Sequence, residues 1–154
     1  MKKNIKINFP QLNFFEFFTG KVEAKGHLIQ YYPKKKVKNL LITFEGKVTK
    51  NKLLIKEYYS ENNVNINRSW LFDKIDENNY IGTEQSVVGE VKVNSKDNYL
   101  NMNYIFKIVF WNFNLNIKII DDMYLINKKE IINSTLVSKY NIKLAQSLLL
   151  YKKL

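Results

Sequence analysis

From Lys21 onward, apolar and polar residues alternate along most of the chain. Val22, Ala24, Gly26 and Leu28 share one parity, with Glu23, Lys25 and His27 on the other. Leu40, Ile42, Phe44 and Val48 alternate with Thr43, Glu45 and Lys47, and Gly46 is expected to mark a bend or bulge. Leu53, Ile55, Glu57 and Tyr59 follow a turn at Asn51-Lys52. The stretch around which the rest is organised runs from Glu57 to Gly89: Val64, Ile66, Arg68, Trp70 and Phe72 oppose Asn65, Asn67, Ser69 and Asp73. Tyr80 to Gly89 reads as one irregular strand between glycines, continued by Val91 and Val93. Leu100, Met102, Tyr104, Phe106, Ile108 and Phe110 form the clearest alternation, answered by Phe113, Leu115, Ile117 and Ile119. Met123, Leu125, Leu136 and the run Leu148–Tyr151 complete the apolar set, and residues 141–146 are expected to hold a turn or a short helical piece. A period of two is the signature of strands with one face in a core and one in water.

Turn residues fall between these runs at Pro33 to Lys36, Asn62-Asn63, Lys96 to Asn98 and Trp111-Asn112. Asparagine tolerates the positive φ of a type I′ turn, so Asn62-Asn63 is expected to close a two-residue hairpin. That register sets Tyr59 opposite Ile66, Ile55 opposite Trp70 and Glu57 opposite Arg68, with both apolar faces on one side. The hairpin at Trp111-Asn112 likewise sets Phe110 opposite Phe113 and turns Asp121 inward, near Met102. Short strands joined by tight turns make an antiparallel meander, and closure removes its edges. The expected fold is an all-β, up-and-down, lipocalin-like barrel of roughly eight to ten strands. Residues 1–10 read as a tail and 11–154 as a single domain. Leu12 to Phe18 holds four phenylalanines in five positions. It is expected to form a helical turn that plugs one end of the barrel, the alternative being a membrane-dipping or partner-binding peptide.

Arg68 is anomalous on its apolar face, because an unpaired buried guanidinium costs several kcal/mol. Glu57 is the expected ion-pair partner. Arg68 is also the single arginine among 25 basic residues, so the net charge of +11 rests on lysine. Nucleic-acid recognition leans on the bidentate arginine fork, and a solvated basic surface is the better reading. Specific nucleic-acid binding is not expected. There is no cysteine and one histidine, His27, which excludes disulfides, thiol nucleophiles and histidine metal clusters. Neither a signal-peptide core nor a run of about 20 apolar residues is present, so the chain reads as cytoplasmic with no transmembrane segment.

Several short segments also resemble, in order and spacing, the bacterial family called domain of unknown function 3833. They are Phe17-Phe18-Thr19-Gly20, Glu57, Arg68-Ser69-Trp70, Tyr80-Ile81-Gly82, Val87-Val88-Gly89, Asn98, Tyr104, Met123-Tyr124-Leu125-Ile126 and Asn133. The resemblance covers about residues 17–153. It implies a calycin-type barrel, a hydrophobic or lipid-like ligand, and no established reaction. Members are often envelope lipoproteins, which makes the cell envelope the alternative location. This chain departs from the family pattern at Ser86 and Ser134, lacks a tryptophan before Met123, and has no lipoprotein cysteine.

Two readings of the polar residues follow. In one, Arg68, Glu57, Trp70, Tyr104, Phe106 and Asp121 line a site for a hydrophobic ligand, with Arg68 anchoring a carboxylate or phosphate head. In the other, Glu57 and Arg68 tie strands together in a barrel filled by its own side chains. Catalysis is not expected. Asp121 and Asp122 are adjacent on a strand and cannot converge, and no phosphate loop, metal spacing or Ser–His pairing accompanies them. No cofactor is expected.

Overall fold

The computed structural model describes residues 8–110 and 112–154, with only the backbone described at Phe110. The seven N-terminal residues of the expected tail and Trp111 of the expected second hairpin turn lie outside it. Among the described residues, one short helix, α1 (Phe14–Phe18), precedes ten antiparallel strands that close into a barrel. They are β1 (Gly20–Gln30), β2 (Lys36–Thr49), β3 (Lys52–Glu61), β4 (Val64–Lys74), β5 (Asn79–Thr83), β6 (Val87–Lys96), β7 (Tyr99–Phe110), β8 (Phe113–Asn127), β9 (Glu130–Lys139) and β10 (Ile142–Lys153). Each pairs with its sequence neighbours, and β1 closes the ring by pairing with both β2 and β10.

The hairpin registers follow the alternation. Asn62 and Asn63 take φ of 51° and 61°, and the pairs Glu57↔Arg68, Ile55↔Trp70 and Tyr59↔Ile66 form as expected. Phe110 pairs with Phe113 and Met102 with Asp121. Several expectations need correction. Tyr80 to Gly89 is two strands, because the chain turns at residues 84–86, where the Val87 amide donates to the Glu84 carbonyl. Gly89 (φ 78°) then sits in a bulge that shifts the β6–β7 register. Gly46 marks no bulge, since it pairs regularly with Ile55. It is glycine because a Cβ would lie 1.7 Å from the Phe18 carbonyl oxygen. Leu136 faces outward with Ile132, while Ile131, Asn133, Thr135 and Val137 face in. In the final leucine run Leu149 and Tyr151 are buried and Leu148 and Leu150 are not. Tyr140-Asn141 forms a turn into β10, with no helical piece after it.

An up-and-down meander sends alternate turns to opposite ends. One end receives the turns at 50–51, 75–78, 97–98 and 128–129 together with α1 and the C-terminus of β10. The other receives the turns at 31–35, 62–63, 84–86 and 140–141 and the β7–β8 connection at Asn112. The aromatic segment plugs the first end. Asn13 caps α1 by accepting the Glu16 amide, and the Lys153 ammonium donates to the carbonyls of Glu16, Phe17 and Thr19 at the helix's C-terminal end, that of Glu16 also accepting the Thr19 amide. Phe14 is fully buried and meets Phe72 and Tyr80 edge-on at 5.0 and 5.1 Å. Phe18 meets Phe44 and Tyr151. Among the described residues no element lies across the opposite end.

Candidate functional site

Phe18 forms the floor of a cavity of about 270 Å³ inside the barrel. Its walls are mainly apolar, from Leu28 and Leu40 on β1 and β2 to Trp70 and Phe72 on β4 and Phe106 on β7. All six residues singled out in the sequence line it: Glu57, Arg68, Trp70, Tyr104, Phe106 and Asp121. The structure brings them together but connects them differently.

Glu57 and Arg68 are opposite in register yet form no ion pair. One Glu57 carboxyl oxygen accepts the Trp70 indole N–H at 2.7 Å, from a donor two positions along β4 from the arginine. Arg68 turns the other way, donating to the Tyr59 hydroxyl at 3.4 Å, lying 3.5 Å from the carboxylate of Glu84 and covering the Phe106 ring at 4.7 Å. The reason is a seam in the wall. β5 is five residues long and pairs with β4 only from Leu71 to Lys74, so the half of β4 nearer the open end has no neighbour on that side. Arg68 spans this seam to the 84–86 turn and to β7. Glu84 was missed in the sequence because the turn that presents it was read as strand. Its side chain is almost fully buried, and its second oxygen accepts the Ser86 amide.

Asp121 lies inside the opposite wall. Its carboxyl accepts from the Tyr104 hydroxyl at 3.1 Å, from the Asn133 amide at 3.4 Å and from the Thr135 hydroxyl. Asn133 and Thr135 come from β9, whose polar inward positions carried no apolar alternation by which to be recognised. Asp122 points outward, to Tyr99 and Asn101, as adjacent strand residues must. Burial raises both Glu57 and Asp121 above the usual carboxylate range, against the opposing effect of their hydrogen bonds. Burial also holds the Tyr104 and Tyr151 phenols well above 10, so both stay protonated.

Three polar atoms on the cavity wall have no partner among the described residues: the second carboxyl oxygen of Glu57, the Tyr151 hydroxyl and the Ser147 hydroxyl. No buried side-chain polar atom in that set is left unsatisfied, so these groups open onto the cavity space. Apolar walls with a few unpaired polar groups can hold a small molecule and orient one polar end of it. No cluster of His, Cys, Asp and Glu suited to a metal occurs among the described residues.

The sequence matches the family described as "Protein of unknown function (DUF3833)" over residues 2–153. The chain belongs to that family. The DUF3833 barrel is similar to the S-type phycobiliprotein lyase CPES of Guillardia theta, with a TM-score of 0.68 and 9% identity over 91% of this chain and 90% of that one. It is also similar to a DUF3598-family protein of unknown function from Nostoc punctiforme, with a TM-score of 0.65 and 11% identity, over 94% of this chain and 50% of that one. At such identities the likeness establishes the lipocalin-like fold. No curated protein matches the sequence. No helix among the described residues is long and apolar enough to cross a membrane.

Proposed function

We propose that this DUF3833 barrel binds a small, largely apolar molecule in its interior, and that it does so as a binding module rather than a catalyst. The observation that carries this reading is the cavity itself. At about 270 Å³ it is far larger than the space of one water and sits near the lower end of ligand pockets, roughly 300–1,000 Å³. A barrel filled by its own side chains would leave no such space.

The charges around the cavity favour a neutral or hydrogen-bond-donating head over an anionic one. Two carboxyl groups, Glu57 and Asp121, line it against the single guanidinium of Arg68, which is itself paired with a third, Glu84, behind it. Arg68 is already engaged by Glu84 and Tyr59, which leaves little of its fork for a carboxylate ligand. Glu57, Ser147 and Tyr151 offer acceptors to a hydroxyl or amine.

Native mass spectrometry of the purified protein, followed by organic extraction, tests for an endogenous ligand. Calorimetric titration with decanol, decylamine and decanoate then tests size and head group. Decanol and decylamine are expected to bind, decanoate more weakly, and Leu28→Phe is expected to weaken all three. Tightest binding of decanoate would restore Arg68 as an anion anchor. Binding of none of the three, with a clean apo mass, would favour a structural or interaction barrel that takes no ligand.

A further inference from the structure

The open end of the barrel carries apolar and aromatic side chains that are largely exposed. Val109 and Phe113 flank one hairpin turn and are 75% and 74% exposed, and Tyr140 in the next is 85% exposed. Tyr32 in the 31–35 turn, Val64 beside the 62–63 turn and Ile142 beside Tyr140-Asn141 are also largely exposed. Single exposed apolar residues are ordinary, but one on nearly every turn of a single end is a concentration that calls for a partner. Tyr140 adds a second signal. Its φ of 50° is left-handed, a costly conformation for an aromatic residue, and no burial offsets that cost.

Lysines stand among these residues. Lys34, Lys35 and Lys36 follow Tyr32, and Lys139 and Lys143 bracket Tyr140 and Ile142. Lys139 lies 4.6 Å from the Tyr140 ring and Lys143 4.8 Å from that of Tyr31, so cation and aromatic tip are displayed together. Within these five turns and the residues flanking them, the only carboxylates are Glu61 and Glu84, and both are paired, with Lys38 and Arg68. None of the five lysines has a carboxylate within salt-bridge distance among the described residues. The end is therefore cationic, apolar and aromatic at once.

We infer that this end of the barrel docks onto an anionic lipid membrane, its aromatic and aliphatic turn residues entering the headgroup region and its lysines meeting the lipid charge. A membrane fits both properties. Aromatic side chains with an apolar body and a polar tip suit the interface, and each lysine near an anionic surface strengthens binding about fivefold. A folded partner would require complementary apolar shape, whereas protruding residues on separate turns enter a fluid interface without it. The same end holds the mouth of the cavity and the seam latched by Arg68, so docking would set the entrance against the bilayer. The inference rests on the surface alone and stands whether or not the cavity is occupied.

Flotation with vesicles of phosphatidylcholine and phosphatidylglycerol, against vesicles of phosphatidylcholine alone, tests it. Binding is expected to the anionic vesicles and to fall steeply with salt. Lys34→Gln/Lys35→Gln/Lys36→Gln should lower the partition coefficient about a hundredfold, from three lysines at about fivefold each. Phe113→Ser/Tyr140→Ser should lower it at least tenfold with the melting temperature unchanged. Lys128→Gln/Lys129→Gln at the plugged end is the control and should leave it intact. Absence of binding to anionic vesicles overturns the inference. So does full retention by Phe113→Ser/Tyr140→Ser, or equal retention on immobilised heparin and RNA, which would mark a plain polyanion surface.

Discussion

The two ends of this barrel are built from similar residues with opposite outcomes. At one end Phe14, Phe17 and Phe18 fold over the barrel bottom and disappear into the core, with Lys153 satisfying the carbonyls of the short helix that carries them. At the other, Val109 and Phe113 on the last rungs of the β7–β8 ladder and Tyr140 in the next turn are left largely exposed. An aromatic cluster in one continuous segment can cover itself and a barrel end together. Aromatic residues distributed one per turn cannot reach one another across the mouth, so they remain exposed. The difference is one of spacing along the chain rather than of hydrophobicity.

The largest effect that should separate the ends is Phe14→Ala. Removing a fully buried aromatic side chain costs about 3–5 kcal/mol, read as a lower urea midpoint. Phe113→Ala should stay within about 0.5 kcal/mol. Equal losses from the two would mean the mouth is packed in solution. Gly46→Ala attacks the plug from beneath, since the new methyl would collide with the Phe18 carbonyl. Overpacking of this kind costs about 1–3 kcal/mol, and the loss should be accompanied by faster amide exchange in residues 14–18. Unchanged protection there would show that the helix has room to shift.

Smaller effects sharpen the account of the open half. Arg68→Met and Glu84→Gln should be non-additive, with a coupling near 1 kcal/mol, reduced from a fully buried pair because the arginine is partly solvated. Additivity would leave the seam without its latch. The last prediction concerns Glu57. Its carboxyl is raised in the folded protein, so the fold binds its proton more tightly than the unfolded chain does. The associated stability is present below about 4.5, the ordinary value, and is lost as pH rises through the folded value. Glu57→Gln keeps an acceptor for Trp70 and removes this loss. Melting temperatures of the variant and the natural protein should coincide near pH 4 and separate above pH 5 in favour of the variant. A variant less stable at neutral pH would mean that the ionised carboxylate is held by more than the indole.

Much of this architecture was legible in the residues. Alternation with a period of two placed Val22, Ala24, Ile55, Phe72, Leu100 and Phe106 on inner faces, because neighbouring side chains on a strand must point to opposite sides. The two asparagines at 62–63 set the register that brings Glu57 opposite Arg68, because the turn they form has a fixed loop length. Tertiary structure decided what those signals do not encode. Register puts two residues opposite each other, but side-chain torsions select the partner. Arg68 reached across a gap in the wall to Glu84, and Glu57 took the indole of Trp70. The gap exists because β5 is only five residues long, a boundary that its irregular polar pattern hid. The inward faces of Asn133, Thr135 and Ser147 were equally hidden, since polar residues inside a barrel leave no alternation to follow. Which aromatic residues are covered depended on where the ends of the meander fall in space. The chain by itself determined that a barrel forms and which parity faces its interior, because those follow from local geometry. The cavity, its partners and its bare rim arise from contacts between strands far apart in sequence, and only the closed barrel decided them.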